Sequence, residues 1–192
     1  MIVAIVLAAG ESKRMGQPKM LMPWGKSTVI QTVISTLQAS GLIDILVVTG
    51  GAHQHIEALI GQSVQIVFNE KYAEGEMLSS IQAGLMRKKA EASAALICLG
   101  DQPQVQGRSV QRILQEYKDI SASIIVPSYQ MHRGHPWLVA REYWEEILQM
   151  HAPDSPREFL ERHRREIHYV EIDSPSILQD LDTPEDYVKS HP

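Results

Sequence analysis

The 192-residue chain has a single cysteine, Cys98, set in an apolar Leu96-Ile97-Cys98-Leu99 run. One thiol forms no internal disulfide, so the chain suits a reducing, cytoplasmic setting, with Cys98 as a small buried hydrophobe. No apolar run reaches the length of a membrane span, and Ile2–Leu7 is too short and lacks the basic flank of a secretory signal. Excess positive charge is also missing: the formal net charge is −5, which argues against a sequence-independent nucleic-acid binder. No internal repeat, low-complexity tract or linker interrupts the chain. Two familiar phosphate motifs are absent. There is no G-x-G-x-x-G, and Gly25-Lys26-Ser27 ends like a P-loop but has Met20 where its first glycine belongs.

What is present begins at the N-terminus. Ile2–Leu7 is an unbroken apolar run, the pattern of a strand buried on both faces. Ala8–Lys19 follows, with Gly10, Gly16 and three cations, Lys13, Arg14 and Lys19. Glycines let backbone amides approach an anion, and the cations supply charge for phosphate oxygens, so this stretch reads as a triphosphate cradle. A plain surface turn with glycine and lysine has the same composition.

Strands and helices then alternate. Helical spacing covers Thr28–Ala39, capped by Ser27 or Thr28 and stopped at Gly41; a strand covers Ile45–Val48 and ends in Thr49-Gly50-Gly51. The same reading gives a helix near 53–60, a strand at 64–68, a helix at 78–88, a strand at 94–99, a helix at 110–117 and a strand at 123–126. This alternation predicts βαβ units, a parallel sheet and one domain over residues 1–192. Such sheets bind ligands beyond the carboxyl ends of their strands, where the Ala8–Lys19 loop, the Thr49 turn and the Asp101 turn all fall. Beyond Pro127 the pattern is irregular. A helix is expected at 141–150, a second from the Ser155-Pro156-Arg157-Glu158 capping box to about Arg164, and an alternating strand at 167–172. A short last helix opens in Asp180–Asp186 with Thr183 as its cap.

Asp101 follows a buried strand inside Gly100-Asp101-Gln102-Pro103 and suits either a Mg²⁺ ligand or a turn. Asp180 and Asp182 pose the same choice against helix capping. Ser79 and Ser80 read as caps near a helix start, and His53 and His55 as helix-start surface residues.

The run Leu7-Ala8-Ala9-Gly10-Glu11-Ser12-Lys13-Arg14-Met15-Gly16-Gln17-Pro18-Lys19 resembles the signature of the MobA-like nucleotidyltransferases. Asn69–Gly75, G-D-Q-P at Gly100, Arg133-Gly134-His135-Pro136 and Asp180–Asp186 resemble the family's other elements. The resemblance implies a three-layer α/β/α fold with a mostly parallel, Rossmann-like sheet, of the nucleotide-diphospho-sugar transferase type. It further implies an Mg²⁺-dependent nucleotidyltransferase, with residues 1–103 mainly its NTP-binding half and 104–192 mainly its acceptor-binding half. Arg14, Lys19 and Asp101 would be catalytic, with Mg²⁺ on Asp101 and Asp182. Leu7, Ala8, Ala9, Gly10, Arg14, Lys19, Thr49 and Ser80 would bind nucleotide, and Arg133 and His135 the acceptor. Asp180 and Asp186 would be structural. Leu-Ala-Ala-Gly in place of Leu-Ala-Gly-Gly looks like the family's cytidylyl type. CTP and Mo-molybdopterin are then the expected substrates, with a recipient molybdoenzyme or its chaperone as a further partner. A sugar, polyol or choline phosphate acceptor, or a cofactor carrier without turnover, are the alternatives.

Overall fold

The computed structural model describes residues 1–74, 76–90, 92–120 and 122–192. Gly75, the last position of the Asn69–Gly75 motif, lies outside the described residues. Among the described residues the centre is an eight-stranded sheet. It holds β1 (Ile2–Ala8), β4 (Asp44–Thr49), β5 (Gln65–Phe68), β6 (Ala94–Leu99), β7 (Ile124–Tyr129), β8 (His132–Arg133), β9 (Trp137–Ala140) and β10 (Ile167–Glu171). The order is β10-β7-β9-β6-β1-β4-β5, with β8 hydrogen-bonded to β7. A separate hairpin pairs β2 (Pro23–Trp24) with β3 (Ser27–Thr28).

β1 pairs in parallel with β4 and β6, β4 with β5, and β7 with β10; β9 lies antiparallel between β6 and β7. The expected mostly parallel α/β sheet is therefore found, with β9 as the reversed strand inside it. Trp137-Leu138-Val139 forms that strand because it is buried in the middle of the sheet. The preceding turn residues hid it in the sequence.

Helices cover both faces. Ala4, Val6 and Ala8 of β1 pack with α1 (Val29–Ala39), α2 (His53–Ile60) and α4 (Gly107–Ile120). Val3, Ile5 and Leu7 pack with α3 (Glu76–Lys88), α5 (Trp144–Gln149) and α6 (Pro156–Arg162). Successive side chains of a strand point to opposite faces, so an unbroken apolar run is what a doubly covered strand requires. Ile5 is fully buried, and its truncation to alanine would cost ~2–5 kcal/mol of stability.

Local chemistry sets the element ends. The Thr28 hydroxyl accepts from the Gln31 N–H at 3.4 Å and caps α1. Gly41 has a φ of +92°, the left-handed geometry that stops the helix. The Ser155 cap and Pro156 start α6, and Thr183 and Asp186 form a reciprocal capping box that starts α7 (Pro184–Ser190). The expected helix at 141–150 is a 3-10 turn over Arg141–Tyr143 followed by α5. Among the described residues no helix is long and apolar enough to cross a membrane.

Candidate functional site

β1, β4, β6 and β7 end at the same edge of the sheet, which gathers their following loops. A cleft of about 370 Å³ opens there between the Gly10–Lys19 loop, the end of β6, the start of α3 and the segment before α7. Its walls include Leu7, Ala9, Gly10, Arg14, Lys19, Ser80, Asp101 and Asp182 from the sequence expectation. Four other expected residues, Ala8, Thr49, Arg133 and His135, do not line it.

The loop is built around Ser12. Its carbonyl accepts from the N–H groups of Met15 and Gly16 at 3.0 and 3.1 Å, and its hydroxyl accepts from the Lys19 N–H at 3.1 Å. Ser12 itself takes a left-handed φ of 54° and Gly16 one of 73°. Gly10 needs no such geometry: a Cβ there would meet nothing, so this glycine leaves the cleft open. Lys13 pairs with Glu11 at 2.8 Å on the surface and is turned from the cleft.

Lys19 is the centre of charge. Its side chain is only 12% exposed, and its ammonium donates to Asp101 and, at 3.1 Å, to Asp182. Burial alone lowers a lysine pKa. Here the charge and hydrogen bond of Asp101, followed by those of Asp182, outweigh it and raise the pKa above the ordinary value. Arg14 donates to the other oxygen of Asp182 at 2.8 Å. Two carboxylates 81 positions apart in the chain thus meet one cation.

Backbone contacts explain how. The Leu181 N–H donates to the Asp101 carbonyl at 3.2 Å. The Gln102 amide donates to Asp180 at 2.7 Å, and the Gln104 amide to the Gln179 carbonyl. The 179–182 segment therefore lies along the 101–104 turn. Asp180 and Asp182 both line the cleft, while Leu181 between them is fully buried. Asp180 is thus part of the cleft rather than a purely structural carboxylate. Burial raises its pKa first, the charge of Asp101 adds to that, and the Gln102 hydrogen bond only partly opposes it. Period-two alternation of an extended segment was the signal in the sequence. Asp186 accepts from the Thr183 N–H at 2.9 Å in the capping box that starts α7.

Sequence reasoning left out Met20, Tyr72, Met77 and Leu99 as cleft walls. Tyr72 had a signal, as the tyrosine of the Asn69–Gly75 motif. Asn69 is buried and donates to both Ser79 and Ser80, at 2.8 and 3.1 Å, fixing the serines at the start of α3. The Thr49 hydroxyl instead pairs with the His53 ring and the Val67 carbonyl. Arg133 donates to the Tyr169 hydroxyl at 2.8 Å and pairs with Glu161 at 3.5 Å. The His135 N–H donates to the Ile177 carbonyl, and burial lowers the ring pKa to about 4.

Arg14 and Lys19 oppose Asp101, Asp180 and Asp182 in the cleft, two cations against three carboxylates. A polyphosphate entering this cleft needs further positive charge. Two converging carboxylates are hard oxygen donors of the kind that hold Mg²⁺ or Mn²⁺ together with phosphate oxygens. The residues therefore fit a divalent cation.

Comparison with known proteins places the chain among relatives. The chain is 30% identical over 189 residues to the molybdenum cofactor cytidylyltransferase of Escherichia coli K12, spanning 97% of this chain and 94% of that one. It is 26% identical to the nicotine blue oxidoreductase of Paenarthrobacter nicotinovorans, spanning 96% and 93%. The crystal structure of Rv0371c from Mycobacterium tuberculosis H37Rv matches with a TM-score of 0.85 at 28% identity, over 98% of this chain and 96% of that one. The manganese complex of Rv0371c matches with a TM-score of 0.81 at 26% identity, over the same shares. Residues 4–167 match the family described as the MobA-like NTP transferase domain, and the chain belongs to that family.

Proposed function

We infer that the protein transfers CMP from CTP to the terminal phosphate of Mo-molybdopterin and releases pyrophosphate. The observation that carries this reading is the meeting of Lys19 with Asp101 and Asp182 at the mouth of the Gly10–Lys19 loop. The likeness to a molybdenum cofactor cytidylyltransferase over nearly the whole chain supports the substrates. Ala9 in the cleft wall, where a second glycine would leave more room, supports a pyrimidine base.

In this reading an acceptor phosphate oxygen attacks the α-phosphorus of CTP. A new P–O bond forms as the bond to the β-phosphate oxygen breaks, and pyrophosphate departs with that electron pair. The nucleophile is already an anion, so no covalent enzyme intermediate is needed and catalysis is positioning plus charge neutralisation. Lys19 and Arg14 exchange their carboxylate partners for β- and γ-phosphate oxygens. Ser80, oriented by Asn69, and Tyr72 border the nucleoside. Asp101 and Asp182, released from Lys19, would hold Mg²⁺, which supplies the charge that the triphosphate lacks in this cleft. Arg133 and His135 lie outside the cleft; their place on the acceptor side is part of this proposal. A recipient molybdoenzyme and a cytoplasmic setting belong to the same reading.

The test is pyrophosphate release with Mo-molybdopterin, comparing CTP, GTP and ATP with and without Mg²⁺. Release with CTP and Mg²⁺ is expected. Release with GTP alone would retain nucleotidyl transfer and overturn the pyrimidine assignment. One observation favours a second reading, the full-length likeness to an oxidoreductase. Silence with all three nucleotides, together with turnover of a redox dye, would favour it.

A further inference from the structure

Asp182 has an unusual dependence. Its carboxylate is held by Lys19 and Arg14, the two groups that a bound triphosphate would claim. Once they turn to phosphate, Asp182 keeps its place only through its own backbone. On one side that backbone is pinned by Leu181, which donates to Asp101 and is buried in an apolar cluster with Met15, Met22, Trp24 and Val29. This cluster is separate from the two cores that flank the sheet. Met15 belongs to the phosphate loop, and Trp24 to the hairpin just after it.

On the other side the backbone runs into α7. This helix buries no residue completely, so its hold on the rest of the chain rests on a few ring contacts. The Tyr187 ring meets Trp24 edge-on at 6.0 Å, and its hydroxyl donates to the Pro23 carbonyl. The His191 ring lies 5.5 Å from Trp24 and 5.1 Å from Tyr187. Trp24 is buried beneath both.

We propose that α7 is a strap: Tyr187 and His191, clamped on Trp24, position Asp182 over the phosphate loop and thereby set the affinity for the metal–nucleotide complex. This rests on the nucleotidyltransferase reading of the cleft. Tyr187 and His191 do not line the cleft, so they are positioning residues. Their loss leaves every cation and carboxylate of the cleft in the chain but lets Asp182 move when Lys19 and Arg14 release it. Outer-shell supports of this kind change metal affinity by about 10–100-fold.

The experiment titrates Mn²⁺ into the full-length protein with CTP present and reads bound metal by electron paramagnetic resonance. Asp182→Asn serves as the reference, and circular dichroism confirms the fold of each variant. Tyr187→Ala is expected to weaken Mn²⁺ binding in the presence of CTP about tenfold and His191→Ala, a milder change at the chain end, about threefold. Tyr187→Phe keeps the ring contact and is expected to remain within about twofold of the unmodified protein. In turnover, Tyr187→Ala raises the KM for CTP while kcat at saturating metal and nucleotide stays near normal, which general destabilisation would not produce. If Tyr187→Ala and His191→Ala bind normally while Asp182→Asn loses the metal, the strap is wrong and the metal assignment survives. If Asp182→Asn also binds normally, the metal assignment fails and the strap with it.

Discussion

The Lys19 ammonium and the Asp101 carboxylate form an ion pair that ties the Gly10–Lys19 loop to the end of β6, across 82 positions of the chain. In the proposed reading, a metal ion and Lys19 would use the same two carboxylates, Asp101 and Asp182. They would then compete for the carboxylates until a bound triphosphate drew the lysine away.

That competition gives opposite signs for one substitution. Lys19→Met removes the competing cation, so Mn²⁺ without nucleotide should bind about threefold more tightly. Turnover should fall by about a hundredfold or more, the scale of ~3 kcal/mol of lost transition-state stabilisation. Calorimetric titration and steady-state rates check the two halves. Weaker metal binding in the variant would show that Lys19 does not compete.

Gly50 lets the end of β4 approach the start of the loop after β1. A Cβ there would lie 2.4 Å from the Ala9 carbonyl oxygen and 2.7 Å from Tyr72. Gly50→Ala must push the loop or Tyr72 aside, at a cost of about 1–3 kcal/mol. Urea denaturation should show that loss, with a raised KM for CTP. Unchanged stability would mean that the loop has room to give.

Asp180 has a folded-state pKa above its ordinary 3.8. Its ionisation therefore opposes folding, and the penalty grows as pH rises through that raised value. In metal-free buffer, Asp180→Asn should raise Tm at pH 7, and the gain should vanish below about pH 3.8. A variant less stable at pH 7 than the parent would contradict the assignment.

His135 titrates with the opposite consequence. Burial lowers its pKa from 6.5 to about 4, so between these values the unfolded chain binds a proton that the folded chain refuses. Stability should fall as pH drops through that window. His135→Gln lacks this term, so the stability difference between parent and variant should shift in the variant's favour from pH 6.5 to pH 4. Parallel denaturation midpoints across that range would count against a buried neutral ring.

Much of this arrangement was legible in the sequence because it rests on local rules. β1, β4 and β6 are buried on both faces and so read as apolar runs. Thr28, Ser155 and Thr183 cap the helices where their residue types predict. The illegible parts depend on distant neighbours. β9 is a strand because β6 and β7 flank it, and nothing in its four residues shows that. Thr49 sits at the right edge of the sheet, but its hydroxyl is taken by His53 and Val67, contacts set by the next turn and the next strand. Asp180 gains its place from Gln102, seventy-eight positions earlier.

The most direct measurement follows the α-phosphorus of labelled CTP in one turnover with Mo-molybdopterin and Mg²⁺, using the parent and Asp101→Asn. The account predicts label in the pterin product for the parent, and a rate reduced by about a hundredfold or more in the variant with CTP still bound. Label that never leaves CTP in the parent, or equal rates in the two proteins, would contradict it.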